Sequence, residues 1–184
     1  MKISFWKLSG AGNDFVLLTK TPKGLRGAVL ARRLCDRRRG VGADGLIILS
    51  RRAGRLRLNY WNADGSAAFC GNGARCAALW ARTRGWVYGK DMIIETSCGA
   101  LHVSLTTQGR AEVTMPAPKG LRIGLRLRAF KRSFLVHFVN SGVPHAVVFV
   151  PDIGKTDVGG LGRALRFHKA FGRAGANIDF VQIK

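Results

Sequence analysis

Cys70 stands in the run Phe69-Cys70-Gly71-Asn72-Gly73-Ala74-Arg75-Cys76, the stretch of this sequence richest in reactive and ligand-binding side chains. Glycines on both sides of Asn72 let backbone N–H groups point into a small concavity, and the residues that follow read as a helix. A helix N-terminus offers unpaired N–H groups and the positive end of a dipole, so the turn suits a carboxylate or a phosphate. A cysteine just ahead of such a terminus ionises more readily than an ordinary one. A thiolate beside a bound carboxylate can take a proton from the carbon attached to it. The same N–H groups would then hold the charge that builds on the carboxylate oxygens. The residues alone leave two chemistries open: proton abstraction next to a carboxylate, or thiol attack on a carbonyl.

The other cysteines, Cys35, Cys76 and Cys98, read as structural. Cys35 lies on the apolar side of a helical stretch, Cys76 falls inside the helix after Cys70, and Cys98 follows a strand. No CxxC pair suggests zinc or a redox dithiol. Asn13 in Gly10-Ala11-Gly12-Asn13-Asp14-Phe15 and Asn62 in Asn62-Ala63-Asp64-Gly65-Ser66 are, taken singly, turn formers. Asp14, Asp44 and Asp64 equally serve to cap or brace turns. Arg75 is expected to face solvent along its helix, and His145, beside Pro144, to be a polar loop residue.

The elements that must position these groups read as short strands with few helices. Strands are expected over 3–8, 15–18, 46–49, 55–61, 92–96, 101–106 and 110–115, then over 121–127, 134–140, 146–150 and 178–183. Helical spacing marks 25–38, 73–84 and 161–171. Short antiparallel strands with glycine-terminated helices indicate an α+β fold. Met115-Pro116-Ala117-Pro118 interrupts both ladders and helices, and divides the chain into 1–116 and 117–184. The second part begins like a domain and reads as unfinished, with exposed sheet edges.

The 184 residues carry 31 Lys and Arg against 10 Asp and Glu, a net charge of +21, with Glu95 and Glu112 the only glutamates. Such a field attracts anions, whether acidic metabolites, phosphates or nucleic acid. The basic residues are scattered, with no RNA-binding aromatic signature or zinc-finger spacing, so nucleic acid is disfavoured as a partner. No apolar run approaches a membrane span, and the N-terminus lacks a signal-peptide layout. A membrane role is therefore not expected, and the protein is expected to be cytoplasmic.

Read together, the motifs resemble those of the diaminopimelate epimerase family. The matches are Gly10–Phe15, Gly40-Val41-Gly42-Ala43-Asp44, Asn62–Ser66 and Cys70-Gly71-Asn72-Gly73-Ala74-Arg75, with weaker ones at Pro144-His145 and 173–178. The resemblance implies a two-lobed, pseudo-symmetric fold in which each lobe offers a cysteine at a helix N-terminus. One thiolate takes the α-proton of diaminopimelate and the opposite thiol returns one, interconverting the LL and meso forms with no cofactor, neither pyridoxal phosphate nor metal. It implies that Cys70 is an acid/base and that Gly71, Asn72, Asn13, Asn62 and Asn177 bind substrate. His145 is implied as a supporting catalytic residue, and a homodimer as the full-length assembly. Val143 and Gly45 stand where the family commonly has Asn and Gln. The family's second catalytic cysteine lies beyond Asn177, and the sequence ends at Lys184, so the second lobe is expected to be incomplete and the chain inactive alone. The alternatives are a polyanion- or nucleic-acid-binding protein on a decayed epimerase scaffold, and another two-cysteine racemase or isomerase.

Overall fold

The computed structural model describes residues 2–52 and 54–183. Contacts divide the chain into two compact units, Met1–Met115 and Pro116–Lys184.

The first unit opens with β1 (Trp6–Gly10) and β2 (Asn13–Leu18), joined by Ala11 and Gly12, both left-handed at φ 52° and 84°. This is the backbone that a two-residue hairpin loop requires. Helix α1 (Gly27–Leu34) crosses over to β3 (Gly45–Arg52), which pairs parallel to β2. Then come β4 (Arg55–Asn62), β5 (Ala67–Ala68), α2 (Gly71–Thr83), β6 (Asp91–Thr96), β7 (Gly99–Leu105) and β8 (Ala111–Val113). The sheet runs β1-β2-β3-β4-β6-β7-β8, with β5 paired to β4.

Helix α2 touches strands from both ends of that sheet, so the sheet curls around it as a half-barrel. Small residues make this possible: Gly73, Ala74, Cys76, Ala77, Ala78 and Ala81 are buried, letting the helix sit close to the strands. Helix α1 covers part of the opposite face, where Leu30, Ala31 and Cys35 pack with Val16, Leu18, Leu46 and Ile48. β3 is thus covered on both sides, which explains its unbroken run Leu46-Ile47-Ile48-Leu49.

The second unit is a four-stranded sheet in the order β12-β11-β10-β9. Its strands are β9 (Lys119–Ala129), β10 (Arg132–Asn140), β11 (Pro144–Phe149) and β12 (Asn177–Val181), with α3 (Val158–Arg166) crossing from β11 to β12. Leu127, Val136, Ala146 and Val148 form its core with Leu165 of α3 and Phe171. Phe130 and Lys131 turn the β9–β10 hairpin in left-handed conformation, φ 49° and 59°, a strained choice for bulky side chains.

The α+β class holds, while several boundaries differ from those read in the sequence. The helix expected over 25–38 is only Gly27–Leu34, because Asp36 Oδ1 accepts the N–H groups of Arg38 and Arg39 and turns the chain away. The helix expected over 161–171 starts earlier, at Val158, where the Asp157 carboxylate accepts the Gly160 N–H. It also stops at Arg166, and Lys169–Phe171 is a separate 3-10 turn. Gly159 and Gly160 hid that start, being poor helix formers that a cap and Leu165 burial override.

Candidate active site

Helix α2 begins at Gly71, two residues before the expected start, and this makes Cys70 its N-cap. Cys70 is extended, φ −140° and ψ 109°, and its Sγ accepts the Gly73 N–H at 3.4 Å. Its carbonyl accepts the Ala74 N–H at 2.9 Å. The N–H groups of Gly71 and Asn72 therefore have no carbonyl of their own helix to reach. A Cβ on Gly73 would lie 3.3 Å from Ile47 Cδ1, and one on Gly71 would lie 3.3 Å from Met115 Sδ. The two glycines thus let the first turn pack against Ile47 and Met115 without crowding them.

Cys70 is half-buried, whereas Cys35 and Cys76 are buried. Burial pushes the Cys35 thiol up to about 11 and also raises that of Cys76. Burial, and next the negative charge of an ionised Cys70, raise the phenol of Tyr60. Cys98 sits in the turn between β6 and β7, where its N–H donates to Thr96 Oγ1 at 3.1 Å.

A chain of side-chain hydrogen bonds leads away from the α2 turn. Asn72 Nδ2 donates to Asn13 Oδ1 at 2.9 Å, and Asn13 Nδ2 donates to Asp44 Oδ2 at 3.0 Å. Arg75 does not simply face solvent: it is half-buried and its guanidinium donates to Asn72 Oδ1. Asp44 is held in turn by the Asp14 N–H at 3.1 Å and by Arg37 at 2.8 Å. Arg37 also grips Asp14, at 3.0 and 2.8 Å, and Lys7 reaches Asp14 at 2.8 Å and the Gly42 carbonyl. The Arg37 guanidinium first, and Lys7 next, hold the Asp14 carboxyl well below the usual carboxylate range.

Asn62 lies at the end of β4, opposite Gly45, and its Nδ2 donates to Ser66 Oγ at 2.9 Å. Asp64 Oδ1 accepts the Ser66 N–H at 2.8 Å in the same turn. In the second unit, His145 is the second residue of β11 and pairs in parallel register with Asn177. Its Nδ1 lies 2.8 Å from Asp179 Oδ2, and Arg166 donates to Asn177 Oδ1 at 3.3 Å. Among the described residues, no group of three or more His, Cys, Asp or Glu converges as a metal site.

The sequence profile of the family described as diaminopimelate epimerase matches residues 5–120. Curated relatives of that description match nearly the whole chain. The protein of Desulforudis audaxviator is 39% identical over 98% of this chain and 72% of its own length. That of Aquifex aeolicus is 36% identical over 98% of this chain and 69% of its own. The chain belongs to the diaminopimelate epimerase family. It is thereby a member of a family of isomerases in lysine biosynthesis.

Solved structures share the fold at lower identity. A probable proline racemase from Agrobacterium radiobacter superposes with a TM-score of 0.68 at 18% identity, over 90% of this chain and 58% of that one. A predicted epimerase from Pseudomonas aeruginosa gives 0.60 at 17% identity, over 98% and 70%. The chain thus spans just over half of the racemase and about 70% of the diaminopimelate epimerases.

Against the residues that the resemblance to diaminopimelate epimerases marked, the structure gathers Cys70, Gly71, Asn72 and Asn13 around the start of α2. Asn62 has its amide engaged in its own turn. His145 and Asn177 stand side by side in the second unit. Sequence reading did not find Asp44 and Arg37 as supports of Asn13, or Asp179 as the partner of His145. The Asn13–Asp44 bond spans 31 residues, and only the parallel β2–β3 pairing brings its ends together. Gly45 has a local cause: a Cβ there would lie 2.4 Å from the Tyr60 ring. Val143 lies in the β10–β11 loop, its carbonyl accepting the Ser141 N–H at 3.2 Å.

Proposed function

We propose that the protein acts on diaminopimelate, interconverting its LL and meso forms by proton transfer at the α-carbon, with the Cys70 thiolate as the acid/base on one face. The positive end of α2 favours an anion at its start. The open N–H groups of Gly71 and Asn72 would receive the substrate carboxylate, and the Asn13 and Asn72 amides would add further donors. In the step, the Cα–H bond breaks, an S–H bond forms on Cys70, and the electron pair passes into the carboxylate. Those N–H groups stabilise the resulting charge. Inversion is completed when a second acid returns a proton to the opposite face.

That second acid is a group other than the four cysteines here. Cys35 and Cys76 are buried with raised thiols, and Cys98 lies in a strand turn rather than at a helix start. His145 and Asn177 are assigned supporting and substrate-contact roles, and Asn62 a further contact, on the family resemblance. No pyridoxal phosphate or metal takes part in this scheme. Among the described residues, no helix is long and apolar enough to cross a membrane.

The observation that carries the reading is Cys70 as N-cap beside two N–H groups that no carbonyl of their own helix can reach. The test is exchange of the substrate α-hydrogen for deuterium in heavy water, followed by NMR. Cys70→Ala is expected to slow exchange at least about a hundredfold. Exchange that persists in Cys70→Ala would overturn the assignment. A stable mass increase of the protein on mixing with substrate would instead favour thiol attack on a carbonyl.

A further inference from the structure

We propose that Arg75 and Asp44 are positioning residues that lock the Asn72 and Asn13 side-chain amides in one orientation beside Cys70, so that fixed N–H donors face the ligand. This deepens the preceding reading and rests on its assignment of Asn13 and Asn72 to the ligand.

An asparagine amide has an accepting oxygen and a donating nitrogen of nearly the same shape, so its orientation is set by its partners. A carboxylate only accepts and a guanidinium only donates. Asp44 therefore turns the Asn13 NH2 towards itself, at 3.0 Å. The Asn13 oxygen must then face the Asn72 nitrogen, at 2.9 Å. That leaves the Asn72 oxygen towards Arg75, which supplies the donor. The row Asp44–Asn13–Asn72–Arg75 thus has opposite polarity fixed at its two ends. Flipping either amide would set donor against donor and acceptor against acceptor.

The acceptor end is itself anchored, since Asp44 is bonded by Arg37 at 2.8 Å and by the Asp14 N–H at 3.1 Å. The donor end explains an unfavourable placement. A cation near a helix N-terminus opposes the helix dipole, and α2 has no acidic residue in its first turn to offset it. Arg75 is nevertheless half-buried there, with its charge turned onto Asn72. Each amide uses one N–H inside the row and keeps its second for a ligand, a donor set suited to a carboxylate.

The test compares Arg75→Met and Arg75→Lys in the 184-residue chain. Two quantities are read: the side-chain NH2 resonances of Asn13 and Asn72, and the affinity for meso-diaminopimelate by calorimetry. Arg75→Met is expected to shift the Asn72 pair most and the Asn13 pair less, and to weaken binding roughly ten- to a hundredfold. Arg75→Lys, which still donates, should restore most of both, with tryptophan-detected melting unchanged throughout. Asn72 resonances that stay in place in Arg75→Met would overturn the proposal, whatever the affinity does. Resonances that move in a protein showing no affinity for diaminopimelate would uphold the locked amides and sink the substrate assignment instead.

Discussion

The two units share one construction and use it for different chemistry. In the first, β1 and β2 pair antiparallel and α1 crosses to β3, parallel to β2. In the second, β10 and β11 pair antiparallel and α3 crosses to β12, parallel to β11. Each places polar side chains where the middle strand begins. There the first unit sets Asn13 and Asp14, backed by Arg37, Lys7 and Asp44. The second sets His145, backed by Asp179. A shared backbone therefore holds a heavily buttressed anion in one place and an imidazole paired with one carboxylate in the other.

The cores differ as well. The first sheet has α1 on one face and α2 in its curl, and Phe15, Val16, Leu17 and Leu18 are fully buried. The second has α3 on one face, while Ile123 at 72% exposure and Phe149 at 52% remain open. All four tryptophans, Trp6, Trp61, Trp80 and Trp86, lie in the first unit, so their fluorescence reports on it alone.

The largest effect expected from breaking this contrast is at Asp14. Asp14→Ala removes one acceptor each from Arg37, Lys7 and the Asp44 N–H, which keep Asp44, the Gly42 carbonyl and the Asp14 carbonyl, and should cost about 2 kcal/mol in urea unfolding followed by tryptophan fluorescence. An unchanged midpoint would show that the buttress adds nothing to the fold. Next comes alkaline pH. The raised thiol of Cys35 favours the folded state fully below its ordinary value of 9.0, and this advantage is lost as pH rises to about 11. The first unit should lose at most about 2 kcal/mol over that window. Cys35→Ala should flatten the slope, and a slope that survives it would assign the loss elsewhere. At the acid end the sign reverses. The depressed Asp14 carboxyl contributes fully above its ordinary value of 3.8, and that contribution fades progressively as pH falls below it.

Gly45→Ala should cost about 1–2 kcal/mol, because a Cβ there meets the Tyr60 ring at 2.4 Å. Adding Tyr60→Phe tests whether the hydroxyl, also 2.4 Å away, or the ring is the obstacle, and full relief would point to the hydroxyl. The smallest effect belongs to the second unit. Asp179 is 44% exposed, so Asp179→Asn should change stability by less than about 1 kcal/mol by circular dichroism. It should still alter the His145 imidazole nitrogen shifts, and if it does not, the pair has no hold on the ring.

Much of this was legible before any coordinates. The α+β class followed from strand alternation and helical spacing, and the family from motifs spread in order along the chain. Cys70 stood out because its neighbours are small, polar and adjacent in sequence. Boundaries were less legible where a poor helix former begins a helix, as at Gly159 and Gly160, or where a side chain ends one, as at Asp36.

The sequence by itself determined that a cysteine precedes a helix, because a cap, a turn and a helix start are written in consecutive residues. Only the tertiary structure decided what surrounds that cysteine. Asn13, Asp44, Asn72 and Arg75 come from three separate stretches that meet because β2 pairs parallel with β3 and α2 lies in the curl of the sheet. Pairing across a crossover depends on the whole chain burying its apolar faces together, so no local pattern of residues announces which side chains will share a hydrogen bond.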